Sequence, residues 1–128
     1  MKKSSNNKNI GQVGEDLACN FLIKKRYKIL CRNYRLKFDE IDIVAKSFNG
    51  ILVFVEVKTL KSGEIKDLIP EDNLTKNKLK KISRACRLFV GFHKELIDDN
   101  RGWRLDLIAV TLGEEDDNII SHYENINT

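Results

Sequence analysis

Between Asp39 and Lys61 the chain reads DEIDIVAKSFNGILVFVEVKTLK, two segments of strand-forming residues joined by Phe48, Asn49 and Gly50. No other stretch limits the fold as tightly. Strand side chains alternate between sheet faces, so Glu40 and Asp42 are expected on one face, as are Glu56 and Lys58. The length of the turn decides whether the two pairs meet, because a slip of one residue reverses every face. A two-residue turn at Asn49–Gly50 sets Asp42 opposite Val57. A three-residue loop, with Gly50 in the left-handed position of a bulged hairpin, sets Asp42 opposite Glu56 and Glu40 opposite Lys58. We expect the three-residue loop.

That register has a chemical consequence. Carboxylates facing each other across a sheet repel, which destabilises the pair unless a positive charge lies between them. Oxygen ligands from two carboxylates, a main-chain carbonyl and water suit Mg²⁺ or Mn²⁺. Lys58 could then orient an attacking water or steady charge developing on a phosphate. The competing expectation is a solvated face with ordinary Glu–Lys pairs. Leu52 and Phe54 share the face of Glu56 and Lys58, and their apolar character argues against full solvation.

The remaining elements form one alternation without repeats. Ile10, Val13, Leu17, Ala18, Phe21 and Leu22 recur at helical spacing, giving a helix from Ile10 to about Lys25. Tyr27–Leu36 reads as a strand, Leu74–Phe92 as a second helix, Trp103–Leu112 as a further strand, and Ile119–Tyr123 as a candidate edge strand. The expected order is helix, three strands, helix, strand: an α/β domain with a mixed sheet. Leu60–Asn73 has no period, contains the one proline and reads as a long loop of the kind that often carries function. At 128 residues the chain is expected to be a single domain with a flexible N-terminus over residues 1–9.

Composition narrows the classes. With 41% hydrophobic and 33% charged residues, and no apolar run near bilayer length, a soluble, non-membrane protein is expected. The basic N-terminus leads into no apolar signal region, which points to the cytoplasm. Cys19, Cys31 and Cys86 are widely spaced among apolar neighbours and read as buried reduced thiols; His93 and His122 stand apart and suggest no zinc site. The net charge of +4 permits a polyanionic partner without requiring one.

Along the chain, GQVGEDLACNFL, YKILCRNYR, EIDIVA, VFVEVKT, LTKNKLKKI and WRLDLIAV appear in order on these elements. As a set they resemble the YraN (UPF0102) family, a group similar to archaeal Holliday junction resolvases and the wider PD-(D/E)XK nucleases. The resemblance implies a restriction-endonuclease-like core and Mg²⁺- or Mn²⁺-dependent hydrolysis of DNA phosphodiesters, with branched DNA among the candidate substrates. It implies Asp42 as the superfamily aspartate, Glu56 and Lys58 as its Glu-x-Lys, and Glu15 as the acidic residue lent by the first helix. Glu15, Asp42 and Glu56 are then the expected metal ligands, and Asp42, Glu56 and Lys58 the expected catalytic residues. The family usually carries glycine where this chain has Asp39, which adds negative charge near the phosphate path and removes a permissive backbone position.

Beyond the motif, Lys76, Lys80, Arg84 and Arg87 fall on one stripe of the second helix, opposite Leu79, Ile82, Cys86, Phe89 and Val90. The stripe is either a solvated face or a ridge that tracks phosphates. Lys78 lies at the edge of the apolar arc and either snorkels past the core or points to the acidic cluster. Together these five basic residues form the expected nucleic-acid surface. Arg104 and Asp106 share a strand face and, with Glu40, are expected in structural or supporting positions around the ligands. Tyr34 and Arg35 are candidates for stacking and phosphate contact, with a core role as the default for the tyrosine. Two other classes stand beside the nuclease: a nucleic-acid-binding module that cleaves nothing, and a pure interaction protein. A homodimer is left open.

Overall fold

Asn9 opens the first helix, α1 (Ile10–Lys24), through a reciprocal cap. Its side chain accepts from the Gln12 N–H at 2.8 Å, while the Gln12 side chain accepts from the Asn9 N–H at 3.3 Å. This capping box satisfies two amides that a helix start otherwise leaves unpaired. In the computed structural model, residues 9–62, 75–98 and 100–126 are described. The flexible N-terminus expected for residues 1–9 thus lies outside the described residues except for Asn9, which is ordered as the cap. Most of the expected long loop, from residue 63 on, also lies outside them.

After α1 come β1 (Lys28–Arg35), β2 (Glu40–Lys46), β3 (Leu52–Lys61), α2 (Lys76–Phe92), β4 (Trp103–Leu112) and β5 (Ile119–Tyr123). Short 3₁₀ turns at Lys94–Leu96 and Glu114–Asp116 precede the last two strands. The five strands form one sheet in sequence order, antiparallel except for the β3–β4 pair, whose parallel pairing requires the crossover that α2 supplies. The α/β class and the mixed sheet are as expected, and β5 completes the antiparallel edge. β3 runs on to Lys61, because its parallel pairing with β4 continues to Lys61 and Leu112.

Each helix covers one face of the sheet. Ala18, Cys19 and Leu22 of α1 pack on Ile43, Ala45, Val53, Val55, Ile108 and Val110. Ala85, Cys86 and Phe89 of α2 pack on Val44, Leu52, Phe54 and Leu105. Burial on both sides explains why β3 and β4 are nearly continuous apolar runs, and why a charge inside them is conspicuous. The three cysteines are free thiols; Cys19 and Cys86 are buried as expected, whereas Cys31, on the outer strand β1, is only partly buried. No helix among the described residues is long and apolar enough to cross a membrane.

The β2–β3 hairpin sets up the site. Ile43 pairs with Val55 and Lys46 with Leu52, and the turn closes through Ser47 and Ile51 over a three-residue loop. Gly50 has φ +88°, a conformation that a side chain disfavours. This is the expected bulged turn, and its register sets Asp42 opposite Glu56. Beyond Ile43–Val55 the two strands part. Alternation also breaks there: Ile43 and Ala45 pack beneath α1, whereas Ile41 packs with Tyr34 in the α2-side cluster. On the neighbouring strand Asn33 has φ +51°, between the Arg32–Ile43 and Tyr34–Ile41 pairs. The expected continuation of the ladder from Glu40 to Lys58 is therefore absent; Glu40 pairs with Arg35 of β1.

Candidate metal and phosphodiester site

Where β2 and β3 separate, the Val57 N–H loses its ladder partner and the Asp42 carboxylate takes it up, Oδ2 accepting at 2.8 Å. The side chain of Glu56 hydrogen-bonds Asp42 from the opposite strand. Burial, repulsion by Asp42 and that hydrogen bond push the Glu56 carboxyl up to about 8. Burial likewise raises Asp42, to about 6, against the restraining Val57 N–H. The arrangement is a proton held between two partly buried acids, with protonated Glu56 donating to Asp42.

The surroundings of the pair come from both layers. Cys86 of α2 feels the Glu56 charge, and burial drives its thiol up to about 12, which keeps it protonated. Lys78, exposed on α2, lies close enough to lower the Glu56 carboxyl electrostatically. Lys58 follows Glu56 by two residues on β3 and is partly buried.

Glu15 is within electrostatic reach of both acids. It is held there by a close approach: a Cβ on Gly14 would lie 1.8 Å from Thr59 Oγ1, so only glycine lets α1 lie this near β3. Yet Glu15 is turned to other partners. Arg32 approaches its Oε1 at 3.6 Å and Asp16 at 2.9 Å. With the Asn33 amide assigned so that its nitrogen, not its oxygen, faces the two carboxylates, it donates to Glu15 at 3.2 Å and to Glu40 at 3.1 Å. Among the described residues, no group of three His, Cys, Asp or Glu side chains is spaced to hold a metal ion. Of the three expected ligands, Asp42 and Glu56 are gathered and Glu15 stands off. The pair still fits a hard divalent cation, since Mg²⁺ keeps several waters and often takes only one or two protein carboxylates. Glu15 and Glu40 add to the burial that raises Asp42, and Asp42 and Glu15 add to that of Glu56, a clustering of negative charge that a cation would relieve.

The basic residues divide. Lys76, Lys80, Arg84 and Arg87 are exposed on α2, opposite its buried Ala85, Cys86 and Phe89. Arg84 is not free: Nη2 lies 2.8 Å and Nε 3.3 Å from Asp39 Oδ2. Asp39 thus adds its charge against the stripe itself and ties the β1–β2 connection to α2.

Arg104 and Asp106 do share a face, but it is the α1 face, with the sheet between them and the acid pair. Asp106 is fully buried. It accepts from Arg104 Nε at 3.0 Å, His122 Nε2 at 2.8 Å and the Asn125 N–H at 2.9 Å. Burial alone would raise this carboxyl, but those bonds outweigh it and hold it below its ordinary value. Arg104 also donates to the Tyr27 hydroxyl at 2.7 Å, and Lys25 Nζ lies 3.2 Å from His122 Nδ1. Their role is structural, pinning β5 and the following turn to the core. His122 escaped sequence reasoning because nothing local links it to Asp106. Tyr34 likewise belongs to the core, edge-on to Phe89 at 4.8 Å.

Residues 14–110 match the family model described as Uncharacterised protein family UPF0102. The chain is similar to a UPF0102 protein of Caldicellulosiruptor bescii, 39% identical over 105 residues that cover 82% of this chain and 84% of that one. A UPF0102 protein of Geobacter sulfurreducens is 38% identical over 122 residues, covering 95% and 91%. One from Trichlorobacter lovleyi is 35% identical over 119 residues, covering 93% and 90%.

Proposed function

Taking as premise that the chain belongs to the UPF0102 family, we propose that it is a metal-dependent nuclease hydrolysing DNA phosphodiester bonds, with branched DNA among its substrates. The observation that carries this reading is the convergence of Asp42 and Glu56 at the opening between β2 and β3, both raised by burial and Glu56 further by the charge of Asp42. Nothing in folding requires two acids there; a cation site does. Asp42 and Glu56 would hold Mg²⁺ or Mn²⁺, with water completing the shell. When bound, the ion supplies Lewis-acid polarisation of the phosphate and lowers the pKa of an attacking water. Asp42 is oriented for this by the Val57 N–H. Lys58, on the same strand as Glu56, offers an ammonium to the attacking water or to a phosphate oxygen as charge develops there. Lys76, Lys80 and Arg87 supply a sequence-independent hold on the backbone, and Lys78 brings positive charge to Glu56 itself.

Cleavage of single-stranded, duplex, flap and four-way DNA with millimolar Mg²⁺ or Mn²⁺ tests the proposal. Asp42→Ala, Glu56→Ala and Lys58→Ala should each lower the rate by about a hundredfold or more, as removal of a charge-stabilising group commonly does. Cleavage that survives Asp42→Ala would remove the assignment. A second reading is a nucleic-acid-binding module without cleavage, favoured by the engagement of Glu15 with Arg32 and Asn33 in place of the acid pair. Salt-dependent DNA binding with no cleavage of any substrate would select it.

A further inference from the structure

Arg32 and Asn33 are consecutive on β1, and successive strand residues ordinarily point to opposite faces. Yet both reach the same carboxylate of α1. Arg32 Nη2 lies 3.6 Å from Glu15 Oε1 and 2.9 Å from Asp16 Oδ1. The Asn33 amide nitrogen, turned to the carboxylates, lies 3.2 Å from the same Glu15 oxygen and 3.1 Å from Glu40 Oε2. The left-handed backbone of Asn33, φ +51°, interrupts the alternation of the strand and lets the two side chains converge. Both contacts fall on Glu15 Oε1, and neither occupies Oε2.

Glu15 thus stands between two sets of partners. Gly14 brings α1 against Thr59 of β3, and the Glu15 side chain, only 16% exposed, is near enough for its charge to act on both Asp42 and Glu56. Joined to that pair without a cation, it would be a further carboxylate in a partly buried place, which repulsion opposes. The Arg32 guanidinium compensates its charge instead, and Asp16, at the shorter distance, anchors that guanidinium. A divalent cation between Asp42 and Glu56 reverses the balance, because its attraction for a carboxylate exceeds that of an ion pair whose arginine is 35% exposed. We propose that Arg32 is a positioning residue that withholds Glu15 from the acid pair and releases it when a cation binds there, so that Arg32 and the cation compete for one carboxylate. Asp16 keeps Arg32 in place once Glu15 leaves. This concerns the regulation of the proposed nuclease site and rests on the reading of Asp42 and Glu56 as its cation ligands.

Mn²⁺ binding, followed by calorimetry and by the electron paramagnetic resonance signal of the free ion, tests this in a double-mutant cycle of Arg32→Ala and Glu15→Gln. A partly exposed ion pair shifts an equilibrium by up to about fivefold. A ligand whose site is held in a non-binding arrangement has its affinity reduced by the fraction of molecules competent to bind. Arg32→Ala should therefore tighten Mn²⁺ binding by about fivefold when Glu15 is present. Loss of a positive charge also favours a cation at long range, and Asp16 loses its partner in Arg32, but both effects persist when residue 15 is Gln. In the Glu15→Gln background the tightening should accordingly fall below about twofold, and the difference between backgrounds isolates the competition. Far-UV circular dichroism checks that each variant is folded, and Arg32→Gln, uncharged and of similar reach, replaces Arg32→Ala if that variant melts. Tightening of equal size in both backgrounds, no tightening, or weaker binding on Arg32→Ala overturns the withholding role while the cation site and the nuclease reading stand. If the parent binds no Mn²⁺, or binds it unchanged after Asp42→Asn, the nuclease reading falls and this inference with it.

Discussion

Replacing Asp42 by Asn should change how the stability of the protein depends on pH. The Glu56 carboxyl is pushed up to about 8 and that of Asp42 to about 6, whereas both titrate near 4 in an unfolded chain. Because the folded values are raised, the native state holds more protons than the unfolded state between about pH 4 and 8. Stability from this pair is therefore complete below about pH 4 and is lost as pH rises through 6 and 8. From pH 6 to 8 the pair retains on the order of one extra proton, which sets a slope of about 1.4 kcal/mol per pH unit and a loss of roughly 2–3 kcal/mol. For a domain of this size that is a fall of about 10 °C in Tm. Asn at position 42 keeps an acceptor for the Val57 N–H and places an amide donor, without charge, beside Glu56. Glu56 then ionises at lower pH, and the slope between pH 6 and 8 should fall by half or more. Thermal melts of both proteins at pH 6, 7 and 8 in chelator measure the difference, with every other titrating group common to the two. Mg²⁺ at ten times its Kd should stabilise the parent at pH 8 by about 1.4 kcal/mol and the variant by less. A parent equally stable at pH 6 and 8, or a variant that keeps the full slope, would refute the shared-proton pair.

Gly14→Ala puts a Cβ 1.8 Å from Thr59 Oγ1 and should cost about 1–3 kcal/mol in urea unfolding, as overpacking does. Asp106→Ala strands Arg104 and His122 without their buried acceptor and should destabilise by about 3–5 kcal/mol, read from circular dichroism melts. Asp39→Gly releases Arg84, whose pairing is half exposed and worth less than about 1 kcal/mol. It should leave Tm nearly unchanged while tightening low-salt DNA binding and steepening its salt dependence by about one phosphate contact. Lys80→Ala with Arg87→Ala should do the reverse, and an unchanged affinity and slope would move the DNA path off α2.

Much of the site could be read in the chain because its geometry is local. The period of two in β3 and a three-residue turn with glycine at the left-handed position are enough to set Asp42 opposite Glu56, since turn length alone decides strand register. The capping of α1 by Asn9 and Gln12 is likewise written within four residues. What the sequence could not decide lies in contacts across long separations. Asp39 meets Arg84 across 45 residues, and Lys25 meets His122 across 97. Such pairs depend on where the helices settle on the sheet, which no local period encodes. The same holds for the side of the sheet that receives Arg104 and Asp106. Alternation places the two on a common face, but only the packing of Tyr27 and β5 beneath α1 makes that face the one turned away from the acid pair. The break at Asp42 is tertiary too. β2 is drawn toward β1 by Asn33 and Glu40 while β3 is held by β4, and the opening between them is where the two acids come to share a proton.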